Sequence, residues 1–272
     1  MTTYVFSPDW TTERDRLLAL EALFDGESAR HLAGVGVSEG WRCLEVGCGA
    51  GGIARWLAEC VSPTGRVVAT DLDTRFVEGH GRDNLEVRRH DIQTDPLDEG
   101  EFDLVHARAV IEHLPDHRAA LRRLVAALRP GGWAVIEDTH FGGPMSAALG
   151  CYAHPADQGP LVGRLYSAVD TLFAAAGADG SFGPTLPSEL KAVGLERVGG
   201  VVHTPVVAGG TENWVRGTLE QLAPRLVAAG LATSDEVARW LAIAAEGSTH
   251  YAPPLMVTAW GRRPVEATPR GQ

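Results

Sequence analysis

The chain has 272 residues and a formal net charge of −11 at pH 7. This length is enough to bury a full hydrophobic core, as one large α/β domain or as one domain with a sizeable cap. The acidic balance implies no basic face, which argues against DNA or RNA as a partner. No apolar run approaches the roughly 20 residues that a membrane-spanning helix needs, so no membrane insertion is expected.

The four cysteines contain no C-x-x-C pair. Cys43 falls in a predicted buried strand and Cys60 at a predicted helix end, so reduced thiols are expected. The N-terminus lacks the basic segment followed by an apolar run that marks a signal peptide. These features predict a cytoplasmic protein.

The first forty residues are predicted to be helical. Ser7–Pro8 or Thr11–Thr12 can start a helix, and a shorter helix is expected around Glu27–Ala33. Strands and helices then alternate, which predicts a parallel sheet with right-handed crossovers. The predicted elements are strand 42–47, helix 51–60, strand 66–71, a short helix near 74–79, strand 85–90, strand 102–107, helix 116–128 and strand 132–138.

After about residue 140 this alternation stops. A helix at 160–176 is indicated by apolar residues at i, i+4 spacing, and a glycine-rich loop follows it. The remaining predicted elements are helix 187–193, strand 195–204, helices near 211–229 and 234–246, and a last strand, Leu255–Gly261.

A strand, a tight turn and a helix are predicted where the sequence reads WRCLEVGCGAGGIARW. Gly47, Gly49 and Gly51 permit positive φ angles and let a ligand approach the backbone at the start of a helix. Glu45, two residues before the first glycine, suits a cationic ligand group better than a pyrophosphate. Asp71 ends the next strand, where a carboxylate can bind ribose hydroxyls.

The glycine spacing alone is ambiguous. Gly47, Gly49 and Gly52 also satisfy G-x-G-x-x-G, the dinucleotide pattern, and a single match to that pattern is weak. A NAD(P)-dependent oxidoreductase therefore stands as one alternative at this point.

The ordered set of motifs resembles the class I S-adenosylmethionine-dependent methyltransferases, especially bacterial small-molecule ones. The resemblance is close over residues 40–140 and looser over the last strands, VGLERVGG and LMVTAWGRR. The N-terminal YVF and ER-x-RLL pattern resembles the lid helix of actinobacterial natural-product methyltransferases. The motifs that carry the resemblance are Glu45-x-Gly47-x-Gly49-x-Gly51, Asp71, Asp91–Ile92, FDLVHARAVIEHL at 102–114 and LRPGGWAVIED at 128–138.

The resemblance implies a doubly wound, Rossmann-like seven-stranded sheet, mostly parallel with its last strand antiparallel. It divides the chain into an N-terminal helical lid at 1–40 and a cofactor-binding core at 41–140. A helical cap that carries the sixth strand follows at 141–253, and the last strand and tail occupy 254–272.

The resemblance also implies roles in binding S-adenosyl-L-methionine, whose product is S-adenosyl-L-homocysteine. Glu45 would set the ammonium of the methionine part and Asp71 would accept both ribose hydroxyls. Asp91 would accept the adenine amino group, and Ile92 would pack on the adenine ring. Arg108 would pair with the methionine carboxylate or with an acid in the first turn. The full predicted cofactor set is Glu45, Gly47, Gly49, Gly51, Asp71, Leu72, Asp91, Ile92, Ala107 and Arg108.

Substrate would lie over the carboxyl ends of the fourth and fifth strands. His113 has the best intrinsic pKa for a base, and His140 and Glu112 are the further catalytic candidates, with Glu137 and Asp138 beside them. Four aromatic residues are predicted to line an aromatic substrate pocket: Tyr4, Trp10, Trp214 and Tyr251. No metal site is predicted.

The predicted function is in-line methyl transfer to an oxygen, nitrogen or carbon of a small molecule, a secondary metabolite. The main alternative keeps the fold without methyl transfer, as a pericyclase, a decarboxylase or a binding scaffold. The sequence leaves the methyl acceptor and the oligomeric state open.

Overall fold

The computed structural model describes residues 6, 11–77, 81–210 and 213–265. Its helices and strands, in chain order, are α1 (Glu13–Gly34), β1 (Arg42–Val46), α2 (Gly52–Cys60), β2 (Arg66–Asp71), β3 (Leu85–Arg89), β4 (Phe102–Arg108), α3 (His117–Ala127), β5 (Leu128–His140), α4 (Pro144–Leu149), α5 (Gly159–Ala175), α6 (Leu186–Ala192), β6 (Glu196–His203), β7 (Val207–Ala208), α7 (Trp214–Ala228), α8 (Ser234–Ala245), β8 (His250–Tyr251) and β9 (Leu255–Arg262).

The main sheet has seven strands in the order β3-β2-β1-β4-β5-β9-β6. Its first five strands are mutually parallel, and β9 runs antiparallel to both β5 and β6. The predicted fold class is therefore confirmed. The strand order reverses between β1 and β4, and ligands of open α/β sheets bind where the order reverses, at the carboxyl ends of the strands.

Both faces of the sheet are covered because successive strand residues point to opposite sides. Leu44, Val105 and Ile136 pack on one face with α3 and α6, whereas Cys43, Leu104 and Val135 pack on the other with α2. A third apolar cluster joins residues of α1, α4, α5, α7 and α8, which we call the helical layer. No helix in the described ranges is both long and apolar enough to cross a bilayer.

The N-terminal prediction was wrong in one respect. A single helix of 22 residues, Glu13–Gly34, replaces the two predicted helices. Gly26 lies inside it with open space around its Cα, so it does not break the helix. The predicted start at Ser7–Pro8 lies outside the described residues.

Other differences lie in short elements. Residues 75–77 form a turn where a helix near 74–79 was predicted, and 78–80 are not described. Strand β5 begins at Leu128, earlier than predicted, because Leu128 pairs with Phe102 ahead of a register shift. Helix α4 and the β7–β8 pair were not predicted, since the six residues of the helix and the two residues of each strand are too few to show a period. The four-part division at 1–40, 41–140, 141–253 and 254–272 stays a prediction.

Candidate active site

One cavity of about 550 Å³ lies over the carboxyl ends of β1, β2 and β4. Its floor is the glycine turn after β1 and the loops after β2, β3 and β4. Its far wall comes from α1, α5 and α7, so residues distant in sequence meet around one space. The lining therefore joins the predicted cofactor-binding core to the helical layer.

The glycine turn is tied to the neighbouring strand. The N–H groups of Gly47 and Cys48 both donate to the carbonyl of Thr70, at 2.8 and 3.0 Å. Gly47 and Gly49 have φ angles of 71° and 55° and line the cavity. Gly51 does not line it: with φ of 86° it precedes α2, and a Cβ there would lie 2.4 Å from Val77 Cγ2. A glycine at position 51 is thus required for closing the turn. Its contact with the cofactor stays a prediction, and its position outside the cavity lining does not support it.

We expect Gly47→Ala to destabilise the protein by about 1–3 kcal/mol, because its Cβ would lie 2.3 Å from Val110 Cγ2 and its φ disfavours alanine. Gly36→Ala is the matched control, since Gly36 has φ of 96° and open space around it. Denaturant unfolding of both variants checks this. Equal losses for the two would show that the close approach to Val110 contributes nothing.

Asp71 lies at the end of β2 and lines the cavity. Its Oδ2 accepts the N–H of Gly49 at 2.9 Å, and its Oδ1 accepts the N–H of Asp73 at 3.0 Å. Burial raises its pKa above the usual value, and these backbone hydrogen bonds oppose that rise. The carboxylate is therefore fixed beside the glycine turn, and each oxygen retains capacity to accept another hydrogen bond.

The loops after β2 and β3 bring the predicted adenine-binding residues to the same cavity. Leu72, Asp91 and Ile92 all line it, as does Phe76, which the sequence analysis did not single out. One oxygen of Asp91 accepts the N–H of Gln93 at 2.9 Å, which fixes the carboxylate at the loop. Apolar side chains and an oriented carboxylate therefore meet at this end of the cavity.

Glu45 lines the cavity and is nearly fully buried, at 3% exposed. Its Oε2 lies 2.6 Å from Nδ1 of His106, the residue paired with it across β1 and β4. Burial raises the pKa of Glu45, while the charge and hydrogen bond of His106 lower it. The carboxylate predicted to receive a cationic group is therefore held by a buried histidine of β4.

Arg108 points from the end of β4 toward α1. Its Nη2 donates to Asp25 Oδ1 at 2.6 Å and its Nη1 to Ser28 Oγ at 2.8 Å. Its partner is thus an acid of α1 and not an acid in the first turn. Ala107 does not line the cavity, because its side chain points to the opposite face of β4. Its expected backbone contact stays a prediction, and the lining continues instead from Arg108 through Ala109 to Val110.

Ala109 is a functional candidate that sequence reasoning missed. Its φ is 53°, in the left-handed region that alanine rarely adopts, and its N–H donates to the carbonyl of Glu137 at 2.7 Å. A strained backbone at a cavity wall is typical of functional sites. Alanine gives no sequence signal for such a conformation.

Helix α1 supplies a second missed group. Arg16 donates through Nε and Nη2 to Glu13, at 2.8 and 2.6 Å, and Gln221 Nε2 reaches the same carboxylate at 3.1 Å. Glu21 accepts the N–H of Gly52 at 2.9 Å and so caps the start of α2. These acidic and basic side chains line the cavity together with Leu17, Leu20 and Phe6. Their distance from the glycine motif along the chain concealed them.

Glu112 lies at the wall of the cavity, with its carboxylate buried. It accepts both the N–H and the hydroxyl of Thr139. Burial, with a smaller contribution from Asp179, raises its pKa to about 7. Asp138 lies in the same buried region, where burial and Glu112 raise its pKa well above the usual value. A carboxyl group with a pKa near neutrality can exchange a proton at physiological pH.

The two histidine candidates are placed differently. His113 lines the cavity between Phe6 and Phe173, with ring centroids 6.2 and 5.4 Å away. Burial lowers its pKa to about 3, so its ring is neutral and a weak proton acceptor near pH 7. His140 is absent from the lining because it points to the face of β5 opposite Thr139. A base at His140 stays a prediction that this geometry does not support.

The aromatic predictions divide in the same way. Trp214, at the start of α7, lines the cavity and packs on Phe24 with centroids 5.7 Å apart. Tyr251 lies outside the lining, behind Trp240, with centroids 5.1 Å apart. Its predicted contact with substrate stays untested and has no support here. Tyr4 and Trp10 lie outside the described residues. Four further aromatic residues, which were not predicted, also line the cavity: Phe141, Tyr166, Phe173 and Trp240.

The lining fits a sulfonium nucleoside. A Cβ built on Gly49 would meet only Leu17 Cδ2, at 3.5 Å, so the turn leaves room for a ligand against its backbone. The carboxylates of Glu45 and Asp71 suit an ammonium and hydroxyls, and Ile92 suits an adenine ring. Among the described residues, no group of three or more histidine, cysteine or acidic side chains could hold a metal ion. Fold and lining together agree with the class I methyltransferase arrangement that the sequence predicts.

Residues 44–136 match the family described as methyltransferase domain. Over these residues the chain carries a methyltransferase domain, which agrees with the resemblance drawn from the sequence. An uncharacterized 37.1 kDa protein of a transposon from Streptomyces fradiae is 35% identical over 134 residues, which are 47% of this chain and 39% of that protein. Methyltransferase str2 of Strobilurus tenacellus is 27% identical over 180 residues, 64% and 61% of the two chains. Demethylmenaquinone methyltransferase of Staphylococcus aureus is 29% identical over 115 residues, 40% and 48%. The chain thus spans less than two thirds of the length of each of these relatives.

Solved structures agree on the fold. The YcgJ protein from Bacillus subtilis is 17% identical with a TM-score of 0.59, covering 88% of this chain and 99% of that one. Phosphoethanolamine N-methyltransferase 2 of Haemonchus contortus, solved with S-adenosyl-L-methionine, is 17% identical with a TM-score of 0.57, covering 94% and 59%. The [4+2]-cyclase SpnF is 19% identical with a TM-score of 0.50, covering 88% and 81%.

Proposed function

We propose that this chain binds S-adenosyl-L-methionine in the described cavity and transfers its methyl group to a small molecule. The single observation that carries the proposal is that three groups line one cavity. They are the glycine turn, Asp71, whose carboxylate accepts the N–H of Gly49, and Glu45, whose carboxylate contacts His106. The methyltransferase domain at 44–136 and the complex of the Haemonchus contortus enzyme with this cofactor support it.

In this proposal each part of the cofactor is bound by specific residues of the cavity. The turn at Gly47 and Gly49 lies against the methionine part, Glu45 receives its ammonium, and Asp71 receives the ribose hydroxyls. Asp91 and Ile92 hold the adenine. When bound, the cofactor supplies a methyl group already activated on a sulfonium, so the protein has to align the acceptor and exclude water.

The acceptor in this proposal is a largely apolar small molecule, of the size of a secondary metabolite. The half of the cavity beyond the glycine turn is lined mostly by apolar and aromatic side chains of α5 and α7, beside the charged side chains of α1 and the pair Glu112 and His113. The relative from Staphylococcus aureus is named for a quinone acceptor, demethylmenaquinone, which agrees with this choice. The net charge of −11 does not favour a nucleic acid. The lining side chains of this half include Phe6, Leu165, Tyr166, Phe173, Trp214, Val215 and Leu219.

Glu112 is the group that we propose to remove a proton from a hydroxyl acceptor. Its pKa of about 7 keeps it partly ionised at neutral pH, whereas the pKa of His113 is too low for efficient proton capture. His113 would instead orient the acceptor. Above its pKa Glu112 is the carboxylate, so transfer to a hydroxyl should be slow at pH 6 and rise toward pH 8.

Titration calorimetry with S-adenosyl-L-methionine and S-adenosyl-L-homocysteine tests the cofactor. A lack of binding by both, together with binding of NADH, would replace the proposal with the oxidoreductase alternative. Methyl-labelled cofactor and a panel of phenols and quinols then test the reaction. Turnover of a panel member with the label left on sulfur would favour a non-methylating reaction, which the fold likeness to a [4+2]-cyclase makes a fair second candidate.

A further inference from the structure

A buried ionic cluster underlies the cavity at the carboxyl ends of β1, β4 and β5. His106 is fully buried, and its two ring nitrogens face two acids: Nδ1 lies 2.6 Å from Glu45 and Nε2 lies 3.4 Å from Glu137. Glu137 also accepts the hydroxyls of Ser28 and of Thr258, the latter at 2.8 Å. Glu45 is the member of this trio that lines the cavity.

The cluster continues into α1. The hydroxyl of Ser28, which donates to Glu137, accepts from Arg108, and Arg108 pairs with Asp25. Three carboxylates therefore surround two cations, His106 and Arg108, when all are ionised. The cluster then carries one excess negative charge. A ligand ammonium placed at Glu45 would balance it.

The opposite charges within the cluster oppose the effect of burial on the pKa of its members. The acids on either side raise the pKa of His106 to about 9, and His106 and Arg108 lower the pKa of Glu137 to about 2. The groups that face His106 directly are Glu45 from β1 and Glu137 from β5. Charged or titratable groups that surround this trio are Arg108 on β4, Glu21 and Asp25 on α1, and the thiols Cys43 and Cys48.

We propose that His106 is a positioning residue for the cofactor: its Nδ1, 2.6 Å from Glu45 Oε2, holds that carboxylate aimed at the position of the cofactor's α-ammonium. This inference rests on the proposed function. It assigns to β4 a role that the glycine motif alone does not provide, since burial raises the pKa of Glu45 and the loss of His106 would raise that pKa further. A buried acid that takes up a proton no longer attracts an ammonium.

The test compares two ligands, S-adenosyl-L-homocysteine and an analogue that lacks the α-amino group. At pH 6.5 we expect His106→Leu to weaken binding of S-adenosyl-L-homocysteine roughly tenfold or more, the equivalent of at least one pKa unit. Binding of the amino-free analogue should change less than about twofold, because that ligand makes no contact that depends on Glu45. The deficit should shrink toward pH 8 as Glu45 ionises.

Two further variants keep the test decisive. His106→Asn places a neutral donor near Glu45, so it should bind better than His106→Leu and still show a steeper pH dependence between pH 6 and 8 than the wild type does. His203→Leu is the matched control, because it makes the same substitution on a strand where the ring packs on Phe24, with centroids 5.9 Å apart. It should leave both affinities unchanged.

The possible outcomes separate the two proposals. Equal losses for both ligands, or undiminished binding of S-adenosyl-L-homocysteine by a folded His106→Leu or His106→Asn, would overturn the role of His106. A wild-type protein that binds neither ligand would overturn the proposed function itself.

Discussion

Asp71→Asn is expected to weaken binding of S-adenosyl-L-homocysteine by at least about 100-fold. Hydrogen bonds to a charged group contribute roughly 1.5–3 kcal/mol each, and the proposal gives the Asp71 carboxylate two of them, one to each ribose hydroxyl. Asparagine has the same shape but no charge and one acceptor oxygen. It would also lose one of the hydrogen bonds from Gly49 and Asp73 that fix the side chain. Titration calorimetry measures the effect.

Asp103→Asn is the matched control for this change. Asp103 is also a strand carboxylate that accepts a backbone N–H, that of Arg42 at 2.7 Å, but it lies at the opposite end of the sheet, away from the cavity. We expect its affinity for the ligand to stay within about twofold of the wild type. If Asp71→Asn bound equally well, or if both variants lost affinity together, Asp71 would have no direct contact with the sugar.

The central sheet was predictable because each of its strands carries its own local signal. Buried apolar runs that end in glycine or an acid predicted the ends of β1 and β2 to within one residue. The parallel arrangement of the strands followed from their alternation with helices. Asp71 and Asp91 follow strand ends, where a parallel sheet collects ligand-binding side chains at one edge. Both line the cavity.

The wall of the cavity was less predictable because it is built by tertiary packing. Arg16 of α1 and Trp214 of α7 meet over the same space although nearly 200 residues separate them, and no period or motif links them. Strand alternation, in contrast, could have excluded His140: once Thr139 is assigned to the cavity face, its neighbour must point away. The pairing of His106 with Glu45 needed the register of β1 and β4, which the sequence does not give.

Glu137→Gln is expected to lower the free energy of unfolding by about 3–5 kcal/mol at neutral pH, the usual cost of removing one partner from a buried ion pair. The change leaves His106 facing a neutral amide, and Thr258 and Ser28 lose a charged acceptor. Urea unfolding measures this. Thr258→Val, which removes only a neutral donor to the same carboxylate, should cost about 1 kcal/mol.

The pH dependence of that stability has a definite sign. The folded pKa of Glu137, about 2, lies below its unfolded value, so its contribution is present above about pH 4.5 and is lost as pH falls toward 2. The folded pKa of His106, about 9, lies above its unfolded value, so its contribution is complete below about pH 6.5 and is lost as pH rises through 9. The double variant His106→Leu/Glu137→Leu should cost less than the sum of the two single leucine changes, because each single change leaves the other residue without its partner and the double change does not. Glu45 loses its histidine partner equally in His106→Leu and in the double variant. Strict additivity in that cycle would mean that the two residues do not interact, and the buried cluster beneath the cavity would lose its electrostatic rationale.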